Sequence, residues 1–133
     1  AASDVYKRQD KDYERIMNKC FMSVPALIEK THYDPKKPEN HNIFITNMKD
    51  RHVVKRDKNK WIICNKKETI DDLLDNSTNI LEEKLAVWDD TKYNYDPKVK
   101  RKFKKFASCG NEEKIGDIKD EIGMLLYNNR KKI

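Results

Sequence analysis

The spacing of apolar residues changes at Asn65, and no one regular element can serve both sides of the change. Upstream, Ile43-Phe44-Ile45-Thr46, Val53-Val54 and Trp61-Ile62-Ile63 are short β-rich runs separated by the turn-forming stretches "NMKD" and "RDKNK". Downstream, Ile70, Leu73, Leu74, Leu81, Leu85 and Trp88 recur at helical spacing. Asn65-x-x-Glu68 has the form of a capping box with Asn in the place of Ser or Thr, so the boundary itself carries a helix-start signal. The pattern predicts a three-stranded antiparallel meander from Ile43 to Cys64, then a helix to about Asp89 that breaks near "DNST".

Helical signals occupy most of the remaining chain. Tyr13, Ile16, Met17, Cys20, Phe21 and Val24 mark one helical face, which Pro25 interrupts or restarts before a short turn through Ala26, Leu27 and Ile28 to His32. "HYDPKKPEN" then reads as an extended connector. In "DPKVKRKFKKFASCGN", Asp96 is placed to cap a helix, Pro97 to open it and Gly110 to supply a left-handed residue after its end. Val99, Phe103 and Phe106 form its buried stripe. A last helix from about Glu112 is apolar at Ile115, Ile118, Ile122, Leu125 and Leu126, with acidic residues first and Arg130, Lys131 and Lys132 at its end, as the helix dipole favours. The expected fold is α+β: a small three-stranded antiparallel meander packed with about four helices. Its core is expected from Ile43, Ile45, Val53, Trp61, Ile63, Leu73, Leu81, Leu85, Phe103, Phe106, Ile118, Ile122 and Leu125.

At 133 residues the chain is one domain's worth, and 37% hydrophobic against 39% charged residues implies a modest core. No stretch approaches the roughly 18 continuous apolar residues of a membrane span, so no membrane partner is expected. Cys20, Cys64 and Cys109 are isolated and odd in number, which fits free thiols in a reducing compartment: an intracellular protein, not a secreted one. "SDVYKRQ" (Ser3–Gln9) looks like the translated read-through of a transposase adapter used in sequencing libraries. Residues 1–9 therefore read as foreign, and residues 10–133 as a single α+β domain at the C-terminal end of a longer protein.

Charge is divided by segment. Residues 1–66 carry 15 basic and 9 acidic side chains, 67–96 carry 3 and 9, and 97–133 carry 11 and 5. An acidic middle lies between two basic flanks. Within "KVKRKFKK", Lys98, Lys100, Arg101, Lys102, Lys104 and Lys105 cover most of the helix circumference outside the Val99–Phe103 stripe. Such a helix can set several cations against a phosphate backbone, giving affinity for DNA or RNA without reading sequence. Arg130, Lys131 and Lys132 add a basic tail with the same capacity. The bland alternative is a solvated face partly neutralised by the acidic segment.

"ENHN" (Glu39–Asn42) raises a nuclease reading, in which His41 would be the base of a ββα-metal or degenerate HNH-like site. That site needs a metal-binding histidine on the following helix, and none lies between Glu68 and Trp88. The carboxylates Asp71, Asp72 and Asp75 stand near a helix start, which favours them for electrostatic reasons alone. The structural reading is preferred, with Asn40 and Asn42 satisfying backbone groups where the connector runs into the first strand. His32, His41 and His52 with the three cysteines match no zinc-ligand spacing, so no metal or cofactor is expected.

The succession "PENHNIFITNMKD", "KWIICNKKETIDDLLDN", "LEEKL", "KFKKF" and "IKDEIGMLLYNNRKK" resembles the C-terminal domain of a family of giant-virus (mimivirus-like, nucleocytoplasmic large DNA virus) proteins, over about Val24 to Ile133. In that family the domain typically follows a two-Cys, two-His zinc finger and a coiled coil. "RHVVKRDKNKW" is more basic than the family pattern. The resemblance implies a viral accessory domain, non-enzymatic, located in the host cytoplasm or viral factory. The leading expectation is phosphate contact through the basic helix. The alternative is an interaction or oligomerisation module that binds a viral or host protein through apolar helices.

Overall fold

The computed structural model describes the backbone of residues 2–132 and the side chains of residues 9–132. The adapter-like reading of Ala1–Gln9 falls almost wholly on side chains outside that description. Lys58 and Asn59 adopt positive φ values of 47° and 68°, forming the two-residue turn whose twist suits a β-hairpin. The turn joins β2 (His52–Asp57) to β3 (Lys60–Asn65), and β1 (Ile43–Phe44) pairs with the other side of β2, giving the antiparallel order β1-β2-β3. Five α-helices accompany this sheet among the described residues: α1 (Ala2–Met17), α2 (Ser23–His32), α3 (Lys66–Thr91), α4 (Pro97–Ala107) and α5 (Glu112–Asn128). The fold is α+β, as the period change at Asn65 predicts.

The turn also decides which strand residues face the core. With Asp57 opposite Lys60, Val53 falls opposite Cys64 and Val54 opposite Ile63. Side chains alternate across a strand, so Ile43, Ile45 and Val53 point inward and are buried, whereas Phe44, Val54, Trp61 and Ile63 share the outer face. Trp61 is 47% and Ile63 72% exposed, which removes both from the core in which the sequence pattern placed them. Leu73 and Leu125 are only partly buried; the other nine expected core residues are buried.

Helix α3 runs unbroken for 26 residues, through the "DNST" stretch where a break is expected. Ile70, Leu74, Ser77, Leu81, Leu85 and Trp88 make one continuous buried stripe, and Thr78 returns its hydroxyl to the Leu74 carbonyl at 2.7 Å. The helix starts where Asn65 Oδ1 accepts from the Glu68 amide at 2.9 Å. It ends in a Schellman motif: Lys92 is left-handed at φ 56°, and the Tyr93 amide donates to the Trp88 carbonyl at 3.0 Å while the two rings pack 5.2 Å apart. Helix α4 has the expected Asp96 cap, accepting from the Lys98 amide at 2.9 Å. Gly110 does not take the left-handed role. Ser108 stops the helix instead, its amide and hydroxyl both donating to the Lys104 carbonyl, and Asn111 caps α5 almost at once.

The N-terminal helical face is divided at Cys20, whose φ is 54°, rather than at Pro25, which sits harmlessly in the first turn of α2. A 3-10 turn (Cys20–Met22) fills the gap, and buried Ser23 donates to the Cys20 carbonyl at 2.7 Å. This division yields five helices where about four were expected. Helix α1 then docks on the far half of α3, where Asp10 accepts from the Trp88 indole at 3.0 Å and pairs with Lys84 at 2.8 Å. Burial alone would raise the Asp10 carboxyl, but the bonds from Lys84 and Trp88 outweigh it and hold the pKa below the usual carboxylate value.

Two stability outcomes follow from this packing. Trp88→Ala leaves a large cavity and is expected to cost about 3–5 kcal/mol in urea unfolding, while Trp61→Ala costs no more than about 1 kcal/mol. A carboxyl held low in the folded state stabilises above its unfolded pKa, and that contribution fades as pH falls through the folded value. The stability gap between wild type and Asp10→Asn should therefore be largest near neutrality and shrink below about pH 4.

Candidate nucleic-acid interface

Helix α4 is amphipathic in the strict sense: Val99, Phe103 and Phe106 are buried, and every cation except half-buried Lys100 is exposed. At about 100° per residue, the three buried residues lie within one narrow sector. Lys98, Arg101, Lys104 and Lys105 fall together in an arc of about 120° on the opposite side. Lys100 and Lys102 fall at the two borders, and the structure uses both internally. Lys100 pairs with Asp89 of α3 at 2.9 Å, and Lys102 donates to Asn18 Oδ1 at 3.0 Å. None of the four outer cations has an acidic partner within ion-pair distance among the described residues.

Asp89 is the point where the acidic segment meets the basic helix. The Lys100 ammonium, and after it the Tyr95 hydroxyl at 2.9 Å, hold its carboxyl below the usual range. Burial, with the hydrogen bond to Asp89 as a second cause, pushes the Tyr95 phenol up to about 12. The neutralising role expected of residues 67–96 is thus exercised mainly on Lys100, at the seam between helices; of the outer arc only Lys104 is near enough to act on Asp89, and it does so without an ion pair.

The structure does not bring the basic tail to α4. Lys100 meets Asp89, whereas Lys119 of α5 pairs with Asp71 at 2.8 Å and Gly123 lies over Ile70. Helices α4 and α5 therefore run in series along α3, one on each half. The end of α5 reaches the sheet, where the Ile45 amide donates to the Leu126 carbonyl at 3.3 Å. Arg130 is stacked 3.9 Å from the Tyr127 ring centre, and Lys131 and Lys132 are exposed beside it in a terminal 3-10 turn. The nine basic candidates thus form two groups at opposite ends of α3.

The histidines of the nuclease reading have other occupations. His41 Nε2 lies 2.7 Å from the Asp34 carbonyl, which accepts its proton. His32 Nδ1 faces the Asn40 carbonyl at 3.1 Å and Asn42 Oδ1 at 3.0 Å. The Asn42 side chain therefore satisfies a histidine rather than the backbone group expected of it. His52 Nδ1 lies 2.9 Å from Asp50 on the exposed rim of β2. Among the described residues no three His, Cys, Asp or Glu side chains are placed to hold a metal ion. No helix among them is long and apolar enough to cross a membrane.

Set beside protein-family models, curated proteins and solved structures, the chain matches none. The assignment of a site thus rests on its own geometry. His41→Gln keeps a donor for the Asp34 carbonyl, so it is expected to lower stability by on the order of 1 kcal/mol or less in thermal unfolding. DNA cleavage dependent on added magnesium or manganese, and lost in that variant, would restore the nuclease reading.

Proposed function

We propose that this domain is a non-enzymatic nucleic-acid-binding module that lays the outer arc of α4 against a phosphate backbone. One observation carries the reading. Four neighbouring cations, Lys98, Arg101, Lys104 and Lys105, stand opposite an anchored apolar stripe without acidic partners among the described residues. Cations already satisfied inside a protein release no counterions on binding, whereas these four can. The short helix reads no base edges in this mode, so affinity is indifferent to sequence. The viral accessory setting comes from the sequence resemblance alone and agrees with such a role.

Binding to a duplex should weaken as salt rises, with a logarithmic slope of about 0.9 per phosphate neutralised. Changing Lys98, Arg101, Lys104 and Lys105 together to Gln should reduce the magnitude of that slope by about 3.6 and leave the circular dichroism spectrum unchanged. The single change Lys100→Gln, which removes a cation already paired with Asp89, should leave the slope close to wild type. Equal duplex binding by the fourfold variant and wild type, measured by fluorescence anisotropy, would reject α4 as the contact surface.

A further inference from the structure

The outer face of the sheet is the largest departure from the expected core, and it is built on a part of the chain remote from α4. Phe44, Val54, Trp61 and Ile63 lie side by side there, with the Phe44 and Trp61 rings edge to face at 5.6 Å. Scattered apolar side chains on a surface need no explanation, but a contiguous group centred on a half-exposed tryptophan does. The Arg56 guanidinium stands 5.8 Å from the Trp61 ring centre, on the same face.

Charge identifies what fits this face. Between Lys49 and Lys66 the chain carries seven Lys or Arg residues and only two Asp. One of those, Asp50, is bonded to His52, and the other, Asp57, sits opposite Lys60 at the closed end of the hairpin. A second copy of the chain would set two such basic hairpins against each other, which like-charge repulsion disfavours. A polyanion with flat apolar faces suits both properties at once. Aromatic rings accept bases by stacking, whatever the base, and cations around them track the phosphates.

We infer that the outer face of the sheet is a stacking platform for single-stranded nucleic acid, with Trp61 and Phe44 receiving bases and Arg56 and Lys58 meeting phosphates. Paired bases in a duplex cannot reach the rings, so the platform selects unpaired strands. It lies at the opposite end of α3 from the α4 arc, and the two surfaces are separable by mutation.

Trp61 and Trp88 are the two tryptophans, and Trp88 is 2% exposed, so quenching of fluorescence by an added short oligothymidylate reports on Trp61. Wild type is expected to show that quenching. Trp61→Ala should weaken oligothymidylate binding on the order of 10-fold at every salt concentration, with an unchanged salt slope and unchanged duplex affinity. Trp61→Phe should retain most of the single-strand affinity and guards against a folding defect in the alanine variant. The fourfold α4 variant should lose duplex binding while its Trp61 is still quenched, so failure of either surface is visible without the other. Wild-type single-strand affinity in folded Trp61→Ala would overturn the inference. So would sedimentation showing a dimer that Trp61→Ala converts to monomer, because a second copy would then cover the face.

Discussion

Burial of the Trp88 indole is the contact on which the arrangement of α1 and α4 depends. Its ring is 2% exposed and its N–H is committed to Asp10, a residue 78 positions away in the chain. The same residue supplies the carbonyl that closes the end of α3 and the ring on which Tyr93 and Tyr95 pack, at 5.2 and 5.0 Å. A buried indole demands a partner for its N–H, so the cluster positions α1 as well as filling space. Helix α4 in turn packs on α1 and the Cys20–Met22 turn, with Phe21 and Phe106 edge to face at 6.4 Å. The direction in which the α4 cations point is thereby set from the other end of the chain.

Helix α3 distributes charge as well as length. Its acids meet lysines at the seams: Asp71 with Lys119 of α5 and Asp89 with Lys100 of α4. Pairs of this kind are individually worth little at an exposed site. Their larger effect is selective, because they neutralise the cations that face inward and leave those that face outward. A chain with 29 basic and 23 acidic residues can in this way present strongly positive patches despite a modest net charge.

Elements announced by a local signal were legible in the sequence. Asp96 before Pro97 and Asn65 before a helical stripe each place a side-chain acceptor where free amides occur, and both are caps in the structure. Features set by tertiary contacts were not. Whether Trp61 faces inward depends on the parity of a two-residue turn, and "RDKNK" does not announce the left-handed pair Lys58–Asn59. Counting from that pair would have put Trp61 opposite Arg56 and Ile63 opposite Val54, the one signal that could have found the platform. Continuity through "DNST" depended on Ser77 fitting a buried stripe, and the separation of α4 from the tail on two helices lying in series. The site was therefore half legible: the outer arc of α4 follows from helical angles, while the commitments of Lys100 and Lys102 do not.

Strand β3 lies at the margin of the sheet, and by the hairpin's alternation the main-chain groups of Trp61 and Ile63 face away from β2. An apolar strand with an open edge is the ordinary starting point of edge-to-edge aggregation, which proteins resist with short length and nearby charge. Here the strand is six residues long and opens on Lys60 beside Lys58. The cations of the hairpin thus give colloidal protection besides the affinity proposed for them. Salt weakens both effects together: with a screening length of about 10 Å at roughly 0.1 M, added ions would loosen the proposed hold on a polyanion and also remove the repulsion that keeps identical edges apart. A folded domain of this design is safest from its own kind in dilute salt, or with its sheet already occupied.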